Sequence, residues 1–334
     1  MVIPTNIKTF CYLPKNICLY LPNIHNFGYQ FNMQKNLQTR PSFLKPGDTI
    51  GIVAPARKIS MEELKPAIEI FEKWGMKVKL GKNIYAIDNQ YAGSDEERCA
   101  DFQKMLDDSE LKAIIAARGG YGIVRIIDKL DFSGFIKHPK WIAGYSDVTV
   151  LHSHIHKHFG IETLHCTMPI SFAKNIESVT LLKQALFGEQ FSYKIDAHPM
   201  NRNGEAEGEL LGGNLSLLYA LAATPSDLNT DGKILFLEDL DEYLYHIDRM
   251  MMQLKRSGKL SKLKGLVLGG FTEMKDNTVP FGKTAEEIII DAVKEYNYPV
   301  CFNFPAGHGE KNFPLYLGRK VQISVQEKTL LKFL

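Results

Sequence analysis

The stretch Gly144-Tyr145-Ser146-Asp147-Val148-Thr149 sets a serine where the β-prone run Trp141-Ile142-Ala143 gives way to a helical pattern. A hydroxyl on such a bend is exposed for nucleophilic attack, and the free N–H groups of a helix start can stabilise an oxyanion. A helix cap explains the same serine, because Ser is a favoured N-cap. The hydrolase elbow G-x-S-x-G is half met: Gly144 and Ser146 fit, and position 148 is Val. Acyl transfer through a serine also asks for a base and an acid to orient it. His308 lies between two glycines after the apolar run Val300 to Phe304. A lone loop histidine is usually structural or solvated, but in a chain with an elbow serine and a strand-end carboxylate it is a better candidate for a general base. Glu238 and Asp239 end the apolar run Ile234 to Leu237. A carboxylate there either orients a histidine or is a solvated strand end.

A second turn, Arg118-Gly119-Gly120-Tyr121-Gly122, follows the apolar run at 113–117. Its glycines either permit a tight turn or expose amides for an oxyanion, with Arg118 available to a substrate carboxylate. The spacing is not G-x-G-x-x-G and no Walker lysine follows, so a nucleotide site is not indicated. His152, His154, His156 and His158 recur at every second position of the helix after Ser146. That spacing spreads them over several faces, and neither i, i+4 pair carries the Glu of H-E-x-x-H. No metal site and no cofactor is expected. Cys166 and Cys301 sit in apolar runs and read as packing residues.

These groups must be held by the elements around them. From residue 44 onward strands and helices alternate. The run DTIGIVAPA is nearly continuously apolar, as in a strand buried on both faces. Ser60 to Glu63 and Ser94 to Glu97 fit capping boxes opening helices through Trp74 and about Leu106. Next come the strand at 111–117, a helix over IVRIIDKL, the strand WIAG and a helix whose apolar face is Val148, Leu151, Ile155 and Phe159. This order predicts a doubly wound parallel sheet, with ligands at the carboxyl ends of its strands. Both turns of interest lie at such ends. The region 172–205 reads as one helix and a polar crossing, and the remainder of the chain as mixed α/β with a strand-rich end. The expected organisation is an extension over 1–39, a nucleophile domain over 40–171, a linker over 172–205 and a second domain over 206–334.

Bulk composition narrows the function classes. The 334 residues suffice for two domains, and apolar and charged shares of 45% and 23% are those of an ordinary soluble protein. A formal charge of +2 gives no footprint for nucleic acid or an acidic membrane surface. The five cysteines form no CxxC pair, which points to a reducing, cytoplasmic setting. Residues 1–32 hold no Asp or Glu, and their most apolar part is broken by Pro14, Lys15 and Asn16. It is too short for a membrane span and a poor export-signal core, so a poorly ordered extension is expected.

Five motifs in one order carry a resemblance: Arg118–Gly122, Gly144–Thr149, Gly212-Gly-Asn-Leu-Ser216, Leu237-Glu-Asp239 with Ile247-Asp-Arg249, and Gly307-His-Gly309. Together they resemble the LD-carboxypeptidase family of serine peptidases, which includes the microcin C immunity proteins; the likeness runs from about Arg40 to the end. The resemblance implies Ser146 as nucleophile, His308 as base and Glu238 as acid, with the amide of Asp147 and one near Gly120 forming the oxyanion hole. Glu242 is a rival for the acid. It also implies a two-domain, commonly dimeric cytoplasmic enzyme that cleaves the L,D-bond before a terminal D-alanine of the murein tetrapeptide. A microcin-type hydrolase of aminoacyl adenylates would share the triad, and a binding protein of the same fold would have lost it. Two departures, His165-Cys-Thr-Met168 and Glu242-Tyr-Leu-Tyr-His246, fall where the pocket is expected.

Overall fold

The computed structural model describes residues 39–334. The expectation for the N-terminal extension therefore lies, but for Thr39, outside the described residues.

Five parallel strands build the first sheet: β1 (Thr49–Val53), β2 (Lys77–Leu80), β3 (Leu111–Ala116), β4 (Trp141–Gly144) and β5 (Thr163–His165). The largely apolar character of β1, β3 and β4 follows from cover on both faces, while β2 (KVKL) is a part-buried edge strand. Ile50 and Ile52 pack with Leu64, Ala67 and Phe71 of α1 (Met61–Lys73). Val53 and Ile114 pack on the other side with Phe102 and Met105 of α2 (Asp95–Asp107). Each such fully buried Leu, Ile or Phe contributes roughly 1.5–3 kcal/mol. Both capping boxes form as the spacing predicts: Ser60 and Ser94 accept from the N–H groups of Glu63 and Glu97, whose carboxylates return to the cap N–H groups.

The run IVRIIDKL is a correction. It forms two short 3₁₀ turns, Ile123–Arg125 and Ile127–Lys129, and not an α-helix. Its β-branched residues are weak helix formers. Its first N–H, on Ile123, is taken by the carboxylate of Asp147 at 2.8 Å, which pins the segment to the neighbouring turn. A short helix, α3 (Ser133–Lys137), leads to β4, and α4 (Thr149–Phe159) leads from it to β5.

After β5 comes α5 (Ile176–Phe187), started by the side chain of Asn175 and stopped at Gly188 in the left-handed region. Within the polar stretch beyond it, β6 (Ser192–Asp196) is the edge strand of a second sheet. This sheet is organised by β7 (Gly204–Asn214), whose sequence GEAEGELLGGN changes pattern halfway. The alternating first half pairs antiparallel with β12 (Lys320–Val325), next to β13 (Lys328–Phe333). The continuously buried second half pairs parallel with β8 (Ile234–Leu240), followed by β9 (Gly265–Thr272) and β10 (Val300–Cys301). Alternation fits a one-sided antiparallel ladder, and a solid apolar run fits a strand covered on both faces. The helices α6 (Leu215–Ala220), α7 (Leu244–Arg256) and α8 (Ala285–Ala292) connect the parallel strands. The two α/β domains are joined by the chain itself. After β10 it returns to the edge of the first sheet, where β11 (Leu315–Leu317) pairs antiparallel with β5, before entering β12. The loop between β10 and β11 carries His308 and so runs between the two sheets.

Candidate active site

Ser146 follows β4 through Tyr145 and adopts φ 63°, a left-handed conformation uncommon for a residue with a side chain. It opens a 3₁₀ turn, Ser146–Val148, which leads into α4. The expected cap is not seen. Tyr145 occupies the N-cap position, no side chain caps the turn, and the Ser146 hydroxyl turns to another partner. That partner is His308, whose Nε2 lies 3.1 Å from Ser146 Oγ. Its other ring nitrogen, Nδ1, lies 2.6 Å from Glu238 Oε2.

Each arm has a local reason. Glu238 is fully buried in β8, where an ionised carboxylate needs a partner. Burial acts to raise its pKa, but the charge and hydrogen bond of His308 outweigh this and hold it below 4.5. Burial likewise acts to lower the His308 pKa, and the Glu238 charge and hydrogen bond carry it above 6.5. Gly307 makes the approach possible: a Cβ there would stand 2.6 Å from Glu238 Oε2. The Gly307 N–H donates to Asn312 Oδ1 at 2.9 Å, and the same oxygen lies 3.1 Å from Nε2 of His165. An oxygen that accepts from a backbone N–H fixes the amide's orientation, so His165 donates from Nε2. Burial lowers its pKa to about 4, which keeps it neutral. Asn312 thus fastens the His308 loop to β5, and nothing local in the sequence GHGEKN marked it for this task.

Neighbouring carboxylates separate by environment. Asp239 points to the other side of β8, where Asn214 Nδ2 and the N–H groups of Ser216 and Leu240 donate to it at 2.9–3.0 Å. Glu242 pairs with His246 Nδ1 at 2.6 Å, so the carboxylate against His308 is Glu238. The Asp147 carboxyl is fully buried, and burial pushes its pKa up to about 7. Through Ile123 it joins the Ser146 turn to the glycine turn after β3. There Gly119 faces the serine directly: a Cβ on it would stand 2.9 Å from Ser146 Cβ and 3.2 Å from Oγ. Gly120 lies against the side chain of Arg57. Arg118 points elsewhere, donating to Lys58 O at 3.3 Å with Glu63 at 3.9 Å.

The α4 histidines each have their own neighbours. His152 bonds Gly144 O at 3.0 Å, His154 bonds Ser226 Oγ at 2.9 Å, His156 meets Glu209 at 2.5 Å, and His158 packs its ring on His154. Among the described residues no group of three or more His, Cys, Asp or Glu side chains could hold a metal ion. Among them, too, no helix is long and apolar enough to cross a membrane. Cys166 and Cys301 are buried, and burial raises both thiols.

Residues 50–166 match the model of the LD-carboxypeptidase N-terminal domain, and residues 207–323 that of its C-terminal domain. The chain belongs to the LD-carboxypeptidase family. A probable murein peptide carboxypeptidase of Bacillus subtilis is 39% identical over 88% of this chain and 94% of its own. The crystal structure of the muramoyltetrapeptide carboxypeptidase from Oxalobacter formigenes superposes with a TM-score of 0.77 at 29% identity, covering 85% of this chain and 98% of that one. The microcin self-immunity protein MccF in complex with aspartyl sulfamoyl adenosine shares the fold alone, with a TM-score of 0.79 at 22% identity over 88% and 98% of the two chains. As an LD-carboxypeptidase family member the protein is an enzyme of the serine hydrolase class.

Proposed function

We propose that the enzyme hydrolyses the bond between an L-centre and the terminal D-alanine of the murein tetrapeptide, with Ser146 as nucleophile. The observation that carries the reading is the line Ser146 Oγ–His308–Glu238 at 3.1 and 2.6 Å. His308 Nε2 removes the hydroxyl proton as Oγ bonds the scissile carbonyl carbon. Glu238 holds Nδ1–H and stabilises the imidazolium that forms. The carbonyl oxygen, now negative, is received by the amides of Asp147 and Gly120, where a lost donor typically costs about 10²–10³ in rate. Collapse expels D-alanine, whose nitrogen takes the proton from His308. Water then attacks the acyl-serine, with His308 again the base, and releases the tripeptide.

The likeness to the Bacillus subtilis and Oxalobacter formigenes proteins supports the murein substrate. A cytoplasmic location and a homodimeric state belong to the same proposal. The test is D-alanine release from the L,D-linked tetrapeptide by wild type and Ser146→Ala side by side. Release by wild type alone is expected. Release by both variants overturns the serine mechanism. Release by neither, with cleavage of an aminoacyl sulfamoyl-adenosine by wild type, moves the substrate to an adenylate. Failure to react with a fluorophosphonate probe would indicate a binding protein.

A further inference from the structure

Arg57 follows β1 at the carboxyl end of the first sheet, the end that also presents Ser146. Its backbone is fastened on two sides: its N–H donates to Gly119 O at 3.4 Å, and it forms an antiparallel bridge with Tyr91. Its aliphatic stem lies across Gly120, where a Cβ would stand 2.5 Å from both Cγ and Cδ. The residue is exposed, and its guanidinium has no hydrogen-bond or ion-pair partner among the described residues. The other arginine of this rim, Arg118, is held by Lys58 O and Glu63. Gly119 and Gly120 are therefore a bare strip of backbone with Ser146 against one residue and Arg57 against the next.

A peptide attacked at Ser146 carries its terminal carboxylate only a few bonds beyond the scissile carbonyl. A guanidinium is a strong, geometrically selective partner for that group. We propose that Arg57 receives the free carboxylate of the leaving residue and so restricts the enzyme to chain ends. The inference rests on the carboxypeptidase reading above. Gly120 has a part in it: a side chain there would displace the arginine stem.

Release kinetics from the tetrapeptide and from its C-terminal amide separate the possibilities, with wild type, Arg57→Gln, Arg57→Lys and Arg118→Gln compared. Wild type is expected to prefer the free acid. Arg57→Gln keeps the stem over Gly120 and is expected to raise KM for the acid roughly tenfold to a hundredfold, with kcat within a few-fold and KM for the amide unchanged. Arg57→Lys is expected to restore part of the preference. Wild type that cleaves acid and amide equally overturns the proposal, as does Arg57→Gln that keeps the full preference while Arg118→Gln loses it. Wild type that releases neither D-alanine nor its amide overturns the carboxypeptidase reading, and the role of Arg57 with it.

Discussion

Ser146 Oγ lies 3.1 Å from His308 Nε2 across 162 positions of chain, Ser146 in the turn after β4 and His308 in the loop from β10 to β11. Ser146 reaches this position only by adopting φ 63°. Left-handed backbone costs a side-chain-bearing residue roughly 1–2 kcal/mol, which glycine avoids. Ser146→Gly should therefore be inactive yet more stable than Ser146→Ala by about 1 kcal/mol. Urea midpoints of the two variants, each paired with an activity assay, check this. Both should lose on the order of 10⁴-fold or more in kcat.

His308 must be neutral to accept the serine proton, and its pKa is raised above 6.5 by Glu238 against the pull of burial. The rate should therefore rise with pH, with a midpoint above 6.5. Glu238→Gln removes the charge that holds the pKa up, so burial then dominates. Its residual activity, lower by on the order of 10³- to 10⁴-fold, should have its rising limb at lower pH. A pH–kcat/KM profile of both proteins decides it; a limb that stays in place would exclude Glu238 as the partner that tunes His308.

Gly119 has no room for a side chain on the serine side, with Met168 Cε also 3.2 Å from a Cβ built there. Gly119→Ala should push Ser146 out of line with His308 and lower kcat at least tenfold. Because its φ lies outside the left-handed range, the backbone itself should tolerate alanine. The clash at this buried position should also cost about 1–3 kcal/mol, so Tm should fall along with the rate.

Asn312 accepts the N–H of Gly307, beside His308, and meets His165 on β5. Asn312→Ala leaves a buried N–H unpaired and should cost about 1–3 kcal/mol of stability. It should also lower kcat more than it raises KM, because the His308 loop loses its tie to the first sheet. Unchanged kcat and KM, with stability intact, would show that the loop is held without it.

Asp147 is buried with a pKa raised to about 7, against 3.8 when exposed. Between these values the unfolded chain releases a proton that the folded one keeps, so stability falls as pH rises from about 4 to 7 and is level above. Asp147→Asn can still accept from Ile123 and carries no such dependence. Its stability relative to wild type should increase over that pH range, as measured by urea unfolding at several pH values.

Much of the local structure was legible in the chain. Both capping boxes form because Ser60 with Glu63, and Ser94 with Glu97, need only neighbours three residues away. The apolar runs at 50–53, 113–116 and 234–237 identify strands because a strand covered on both faces leaves no polar positions. The chemistry-bearing residue types at 146, 238 and 308 stand out for the same reason: each follows or ends such a run. The helix expected over IVRIIDKL forms only two 3₁₀ turns, because its β-branched residues favour a helix weakly and the packing of the turn on Asp147 fixes where it starts.

Other features depend on groups that meet only when the chain is folded. The sequence around Ser146 admits both a cap and a free hydroxyl; φ at 146 and the distance to His308 decide between them. Glu238 and Glu242 are alike in type and close in sequence, yet one lies against His308 and the other against His246. Which arginine lies free beside the glycine strip depends on how the loop after β1 packs on the loop after β3. Local hydrogen bonds and burial patterns are written in neighbouring residues, so the order of residues was enough to set most of the elements. The site is set by the return of the chain from β10 to β11, which brings His308 between two sheets and is a property of packing alone.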